Sequence, residues 1–379
     1  MYKILDLFAG AGGLSLGFEM TDKFKVGAIV ENNKNAAKTY INNHPGLKNY
    51  EDIMKVDFKK LQQETGNIDV IIGGPPCQGF SNANRQRRQL INGSNELVKK
   101  YVQAVRDIRP KVFVMENVKT IASDKHSFCL TNTDREYIEK QLELTPHSKD
   151  VILYEGSNVN LINELCNNHS IEELNLLDEE QLYVLYNVYK KRNQLEKYFE
   201  KSVNIKKIQS IAECLKNKEE LPQWYNEYTQ EAKTVLQEMI ERKQSVSDES
   251  MEKLKAFWDV QRFFQGIMEL NTKDAIYEII PENTSITVRM HTYIVIDYIL
   301  RAFKDLGYQV KGEVLNAASF GVPQNRERFI LIGVRDNLAE NQDIKLPEAL
   351  IKDPQKYVTV NEAIDDLKEY EPTTSGMGE

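Results

Sequence analysis

Two kinds of hydrophobic pattern divide the chain. Towards both ends, short apolar runs end in glycine, proline or an acidic residue and are followed by helix-spaced stretches. The first run, Lys3–Phe8, leads into Ala9-Gly10-Ala11-Gly12-Gly13, and a helix is expected from near Gly13, carrying Leu14, Leu16, Phe18 and Met20. A second strand, Val26–Val30, ends in Glu31, and a third is expected around Ile53–Val56, ending in Asp57-Phe58. A buried strand from Ile68 to Ile72, broken by Asp69, is followed after a loop by a helix over Asn95–Ile108 and, past Pro110, by a strand Lys111–Met115 ending in Glu116-Asn117-Val118. From about 121 to 287 glycine almost vanishes, and charged residues alternate with Leu, Ile and Tyr at helical spacing, as in Glu179–Phe199 and Glu231–Arg242. Strand-and-glycine logic then resumes with a helix His291–Phe303, a strand Gln309–Leu315, a loop Asn316–Pro323 and a strand Phe329–Val334.

Strand–glycine turn–helix units around apolar strands predict an α/β protein with a mostly parallel sheet and helices on both faces. The expected division is a core of 1–120 and 288–367, a large helical insertion at 121–287 and a tail at 368–379.

Length and composition add limits. A chain of 379 residues, 41% hydrophobic and 28% charged, holds one large domain or a core with an insertion. With no apolar run of about 18 residues and an N-terminus entering a strand at once, neither a transmembrane helix nor a signal peptide is expected, and the default setting is cytoplasmic. Cys77, Cys129, Cys166 and Cys214 are too scattered for a metal or disulfide framework. Net charge is −8, but residues 1–120 carry 18 Lys and Arg against 12 Asp and Glu, so a local basic face can still meet phosphates.

Chemistry concentrates in Ile71–Ser81, IIGGPPCQGFS. Two prolines fix φ and remove backbone donors, so the strand must give way to a rigid loop, which presents the Cys77 thiol at the carboxyl edge of the sheet. Arg85, Arg87 and Arg88 follow, and cations favour the thiolate. A lone cysteine is otherwise a small buried hydrophobe; the Pro-Pro brace and the arginine loop are what set this one apart. Glu116, at the end of a buried strand of the same sheet, is placed to act with Cys77, or else to cap a helix or form a surface salt bridge. Gln324, Arg326 and Arg328, two residues apart, would share one face of an extended segment, as donors for a base carbonyl, phosphate or carboxylate, or as an outward-facing edge. The first glycine turn suits a nucleotide-like ligand only weakly by itself, since Ser15 stands where a dinucleotide fingerprint has its third glycine. Glu31 can take ribose hydroxyls or cap the next helix, and Asp57 beside Phe58 offers an acid for an adenine amino group next to a ring.

DLFAGAGGLSLGFE at Asp6–Glu19, GGPPCQGFS, MENV at Met115–Val118 and GVPQNRERFILIG at Gly321–Gly333, in this order, resemble the motifs of the cytosine carbon-5 DNA methyltransferase family. The resemblance covers about 1–120 and 288–367. It implies a Rossmann-like S-adenosylmethionine-dependent fold, with the cofactor over Phe8 and the turn Gly10, Gly12 and Gly13. Glu31 would take the ribose hydroxyls, Asp57 the adenine amino group, and Phe58 and Leu97 would pack on adenine; Asp6, Asn32 and Pro76 complete the expected cofactor set. Cys77, Glu116, Arg326 and Arg328 are the expected catalytic residues, and Gln78, Ser81, Arg85, Arg87, Arg88 and Gln324 the expected contacts to DNA. The family pattern goes on to a target-recognition region not visible here, so a truncated chain, or one needing a second polypeptide that supplies that region, is expected, ahead of the alternative that the 121–287 insertion has replaced it. The rival readings are a tRNA cytosine methyltransferase with the same motifs, a non-catalytic binding subunit, and, more distantly, a nicotinamide oxidoreductase, which would leave PPCQ without a use.

Overall fold

The structure, a computed structural model, describes residues 1–76, 94–124, 126–216, 219–339 and 343–369. Cys77, Gln78, Ser81, Arg85, Arg87 and Arg88 therefore lie outside the described residues, as does most of the expected tail. Ten strands are found among the described residues: β1 Tyr2–Leu7, β2 Phe24–Val30, β3 Val70–Gly73, β4 Val112–Val118, β5 Ser127–Cys129, β6 His147–Glu155, β7 Tyr277–Pro281, β8 Ser285–Ile294, β9 Tyr308–Asn316 and β10 Glu327–Arg335.

Among the described residues, those up to Phe128 and from Ile294 onward form one compact unit, and Cys129–Tyr293 form a second. The first is built on a six-stranded sheet in the order β2-β1-β3-β4-β10-β9. The strands β2, β1, β3 and β4 run parallel, while β10 pairs antiparallel with both β4 and β9. Both faces of the parallel strands are covered, which is why they read as continuous apolar runs. Ile4, Val70, Ile72 and Val114 pack on one face with Tyr40 of the helix α2, Lys34–Asn43. On the other, Phe113 meets Phe303 with ring centroids 4.0 Å apart, and Tyr101 meets Phe113 at 6.3 Å. Tyr101 belongs to a fifteen-residue helix, Ser94–Ile108, and its hydroxyl donates to the Val114 carbonyl at 2.9 Å. Phe113 is fully buried, and truncating such a ring costs about 3–5 kcal/mol.

The second unit differs from the expected all-helical insertion. Long helices are present, among them Glu179–Lys190, Gln223–Arg242 and Asp248–Thr272, but they accompany a sheet in which β8 pairs antiparallel with β6 and β7. The apolar side chains on β6 and β8 (Leu153, Ile286, Val288, Met290) close one core with Phe263, Phe264 and Ile267. The helices bury a second core around Leu185, Ile211, Leu236 and Phe257.

Several local expectations are corrected. Ile53–Lys55 is a turn of 3-10 helix, because the Asp52 side chain accepts from the Met54 N–H and caps it. β4 continues through Val118, its register with β10 running from Val112↔Val334 to Val118↔Arg328, so Glu116 lies within the strand and not after it. β8 extends to Ile294, where a helix was expected from His291, and that helix begins at Val295. In the first helix, α1 (Gly13–Glu19), Ser15 is buried while Leu16, and Met20 just past its end, are exposed.

Candidate active site

The turn after β1 is shaped from beneath. Phe8 has a left-handed φ of 57°, held by its N–H to the Val30 carbonyl at 2.8 Å. For a residue with a Cβ that conformation costs about 1–2 kcal/mol, so it persists only because the surrounding chain imposes it. Gly12 has φ 95°, and a Cβ there would come within 2.9 Å of the Tyr40 ring. Below the turn, Ser15 Oγ and the Tyr40 hydroxyl are 2.5 Å apart, Ser15 also donates to the Gly12 carbonyl at 3.1 Å, and Tyr40 donates to Asp6 at 3.3 Å. Asp6 is 1% exposed. Burial, and to a lesser degree the charges of Glu31 and Glu19, raise its carboxyl to about 7, against the lowering effect of the Ser15 and Tyr40 hydroxyls. Desolvation likewise pushes the Tyr40 hydroxyl up. Asp6 thus acts on the turn from its buried side.

Above the turn the surroundings are open. A Cβ at Gly10 or Gly13 would meet nothing within 4 Å. Glu31, at the end of β2, accepts from the Gly10 N–H at 2.8 Å with one oxygen and from the Asn33 N–H at 2.7 Å with the other. Its backbone is fixed in turn by Asn49, which bonds both the Glu31 N–H and carbonyl at 3.0 Å. Asn32 is exposed and, with Glu31, Lys34, Lys38 and Asn49, lines an open cavity of about 430 Å³ that does not include the glycine turn. Asp57 caps the helix α3 (Phe58–Thr65), one oxygen accepting from Lys59 and Lys60 N–H at 3.0 Å, while Phe58 is buried at 1% exposure in the core. Leu97 and Pro76 are half-buried.

A second cluster stands on β3, β4 and β10. Glu116 Oε1 accepts from Arg328 Nε at 2.8 Å, the two side chains being 30% and 26% exposed. The pair follows from register: Ile330 faces Glu116 and Val118 faces Arg328, so the two side chains lie diagonally on one face of neighbouring strands. The loop after β3 presses against this pair. A Cβ at Gly74 would lie 2.7 Å from Glu116 Oε2 and push that carboxylate aside, while one at Gly73 would lie only 2.2 Å from the Leu7 carbonyl oxygen, so Gly73 accepts glycine alone. Asn117, 4% exposed, donates to the Pro75 carbonyl at 3.0 Å and fastens the prolines to β4. Arg326 and Gln324 do not join Arg328 on a strand face, because β10 begins at Glu327. Both are exposed, and the Gln324 N–H turns back to the Val322 carbonyl at 2.7 Å.

Sequence reasoning missed Tyr40 and Asn117, and saw in Ser15 only a departure from a fingerprint. Tyr40 was findable: with Ala37 it forms the apolar stripe of α2 beside a glycine turn. Nothing in the sequence marked Asn117 as a brace for Pro75.

A parallel sheet with a supported glycine turn and a carboxylate at the end of the neighbouring strand defines a nucleotide-type Rossmann-like domain. The C-5 cytosine-specific DNA methylase family matches residues 2–143 and 263–378, and the chain belongs to that family. Type II methyltransferase M.DdeI of Desulfomicrobium norvegicum is 40% identical over 158 residues, 41% of this chain and 33% of that protein. M.HindV of Haemophilus influenzae is 39% identical over 150 residues, 38% of this chain and 45% of its own length. M.FnuDI of Fusobacterium nucleatum is 36% identical over 137 residues, 36% of this chain and 38% of its length. The chain thus spans less than half the length of these relatives in each match. The family's methyl donor is S-adenosylmethionine. The residues present fit it: Gly10 and Gly13 leave room above the turn, and each Glu31 oxygen retains a lone pair for a ribose hydroxyl. Among the described residues no helix is long and apolar enough to cross a membrane.

Proposed function

We propose that the chain transfers a methyl group to carbon-5 of cytosine in DNA, as the catalytic part of a restriction–modification methyltransferase. Bound S-adenosylmethionine supplies an electrophilic methyl group. Phe8, Gly10, Gly12 and Gly13 form its seat, Glu31 and Asn32 take the ribose, and Asp57 offers its uncommitted oxygen to the adenine amino group, with Leu97 and Pro76 as apolar walls. Asp6 supports the seat from below.

Carbon-5 of cytosine is a poor nucleophile until the ring is activated. Addition of the Cys77 thiolate to carbon-6 forms the C–S bond and moves a ring electron pair towards carbon-5 and the N3 side. Glu116, protonated or sharing a proton at ring nitrogen 3, relieves the charge that develops there. Arg328 holds Glu116 in place and offers its remaining donors to the ring carbonyl oxygen, with Arg326 as a less constrained second cation. After methyl transfer, loss of the carbon-5 proton returns the pair to the ring, expels Cys77 and restores aromaticity. A base inside a duplex is stacked, so it has to be flipped out, and Gln78, Ser81, Arg85, Arg87, Arg88 and Gln324 are assigned to the DNA around it. A second polypeptide that carries target recognition belongs to the same proposal.

The observation that carries this reading is the Glu116–Arg328 pair pressed against Gly74, with Asn117 holding Pro75, two residues before Cys77. The test is transfer of labelled methyl from S-adenosylmethionine to genomic DNA and to tRNA, by this chain alone and with the product of the neighbouring gene. Label in DNA is expected. Label confined to tRNA would replace the substrate, and none under any condition would reject the activity.

A further inference from the structure

In the second unit, many cations have carboxylate partners, among them Lys140 with Glu136, Arg242 with Glu238, Lys253 with Glu249 and Lys207 with Glu180, while, among the described residues, Lys149, Lys216, Lys233 and Lys243 stand singly without one within 4.0 Å. On one surface such cations are concentrated. Between 190 and 207 the chain carries seven Lys and Arg against two Glu, in a protein whose net charge is −8. Among the described residues, none of Lys190, Lys191, Arg192, Lys197, Lys201 or Lys206 has a carboxylate within 4.0 Å. Four cations lie on aromatic rings instead: Lys190 over Tyr186 at 5.9 Å, Lys191 over Tyr198 at 5.3 Å, Arg192 over Tyr189 at 4.8 Å and, from the helix Asp248–Thr272, Arg262 over Trp258 at 5.5 Å. Tyr186 and Trp258 are themselves in contact at 5.9 Å, which joins two of these pairs.

A ring holds the stem of a cation without cancelling its charge, whereas a carboxylate cancels it. The result is a set of ordered, uncompensated charges. They lose less side-chain entropy on meeting a polyanion than free lysines do. Because cations already occupy these rings, the surface is poorly suited to stacking unpaired bases and better suited to a phosphate backbone.

We propose that this face, at the end of the helix Glu179–Lys190 and the start of the helix Ser202–Cys214, binds the phosphate backbone of duplex DNA, so that the second unit supplies sequence-independent affinity. The proposal rests on the DNA reading above for its choice of polyanion. Cytosine chemistry is not required of this face.

The test uses the full chain and a fluorescent 30-bp duplex across a salt series. Lys190→Gln, Lys191→Gln, Arg192→Gln and Lys197→Gln are combined in one variant, and the three lysines are changed to arginine in another. Since each phosphate contact contributes about 0.9 to the slope of log K against log salt, neutralisation is expected to reduce the slope by about three and weaken binding roughly 10–100-fold near 0.15 M salt. The arginine variant keeps wild-type binding, and both variants keep wild-type affinity for S-adenosylmethionine, which reports an intact fold. Equal affinity and slope in wild type and the neutralised variant would overturn the proposal. A wild-type chain that binds duplex through this face but transfers no methyl group supports the surface and rejects the catalytic reading.

Discussion

The two ends of the candidate site are built by opposite strategies. Beneath the glycine turn, Asp6, Ser15 and Tyr40 are almost fully buried, and their polar atoms satisfy one another. At the other end, Glu116 and Arg328 are each about a quarter to a third exposed and held by one ion pair. A buried network is costly to disturb and fixes one geometry, so it suits a seat that keeps its shape through every cycle. A partly exposed ion pair is screened by water and contributes little stability, so this end is fixed by a single pair and the close approach of Gly74. The turn is held by a buried network, the pair by a surface contact.

The largest effects should come from the more exposed end. Cys77→Ser and Glu116→Gln should each lower methyl transfer by roughly 10³-fold or more, with cofactor affinity, read by calorimetry, within a few-fold of wild type. Appreciable turnover by the serine variant would sink the covalent assignment. A drop in cofactor affinity as large as the drop in rate would break the comparison, because the two ends would then be one cooperative structure. Next comes Gly74→Ala. Its Cβ would crowd Glu116 Oε2 at 2.7 Å, so the carboxylate or the loop must shift. A displacement of that kind typically costs on the order of 10²-fold in rate, read as a fall in kcat without loss of cofactor binding.

Much of this was legible in the chain. The parallel strands announced themselves because both of their faces are buried and Ile71, Ile72, Val114 and their neighbours have to be apolar. The pairing of Glu116 with Arg328 was only half visible: the residue types were evident, but the register that brings them together depends on β4 running antiparallel to β10 over seven residue pairs. The face shared by Gln324, Arg326 and Arg328 failed for a local reason, since the chain turns before Glu327 and period-two reasoning holds only within a strand. In the middle of the chain, strongly helical spacing masked β6, β7 and β8. Six of the nine residues of β6 are exposed, so it lacks the alternating signature of a core strand.

The buried end can be probed by pH. Asp6 has its folded carboxyl raised to about 7 from 3.8 by burial. A raised folded value means that the folded state holds the proton more tightly than the unfolded chain. The stability this contributes is fully present below about pH 4 and is lost as pH rises through 7. Asp6→Asn keeps the size and removes the titration. Wild-type stability relative to Asp6→Asn should fall between pH 4 and 7 by at most about 4 kcal/mol, followed by urea unfolding at each pH. A difference that stays flat across this window would mean that the carboxyl is solvated, and the turn would no longer be distinct from the exposed pair.

The smallest expected effect separates two duties of one residue. Asp57 caps α3 with Oδ1, which accepts from Lys59 and Lys60, and among the described residues no donor reaches Oδ2. Losing an N-cap costs about 1 kcal/mol, and losing one hydrogen bond to a ligand costs about 0.5–1.5 kcal/mol. Asp57→Ser retains a capping oxygen but offers no second carboxylate oxygen to adenine, whereas Asp57→Ala removes both. The serine variant should therefore melt near wild type yet bind S-adenosylmethionine roughly 3- to 10-fold more weakly, and the alanine variant should lose stability as well. If serine restores cofactor affinity along with stability, Asp57 is only a cap, and the adenine end of the seat has to be formed by other residues.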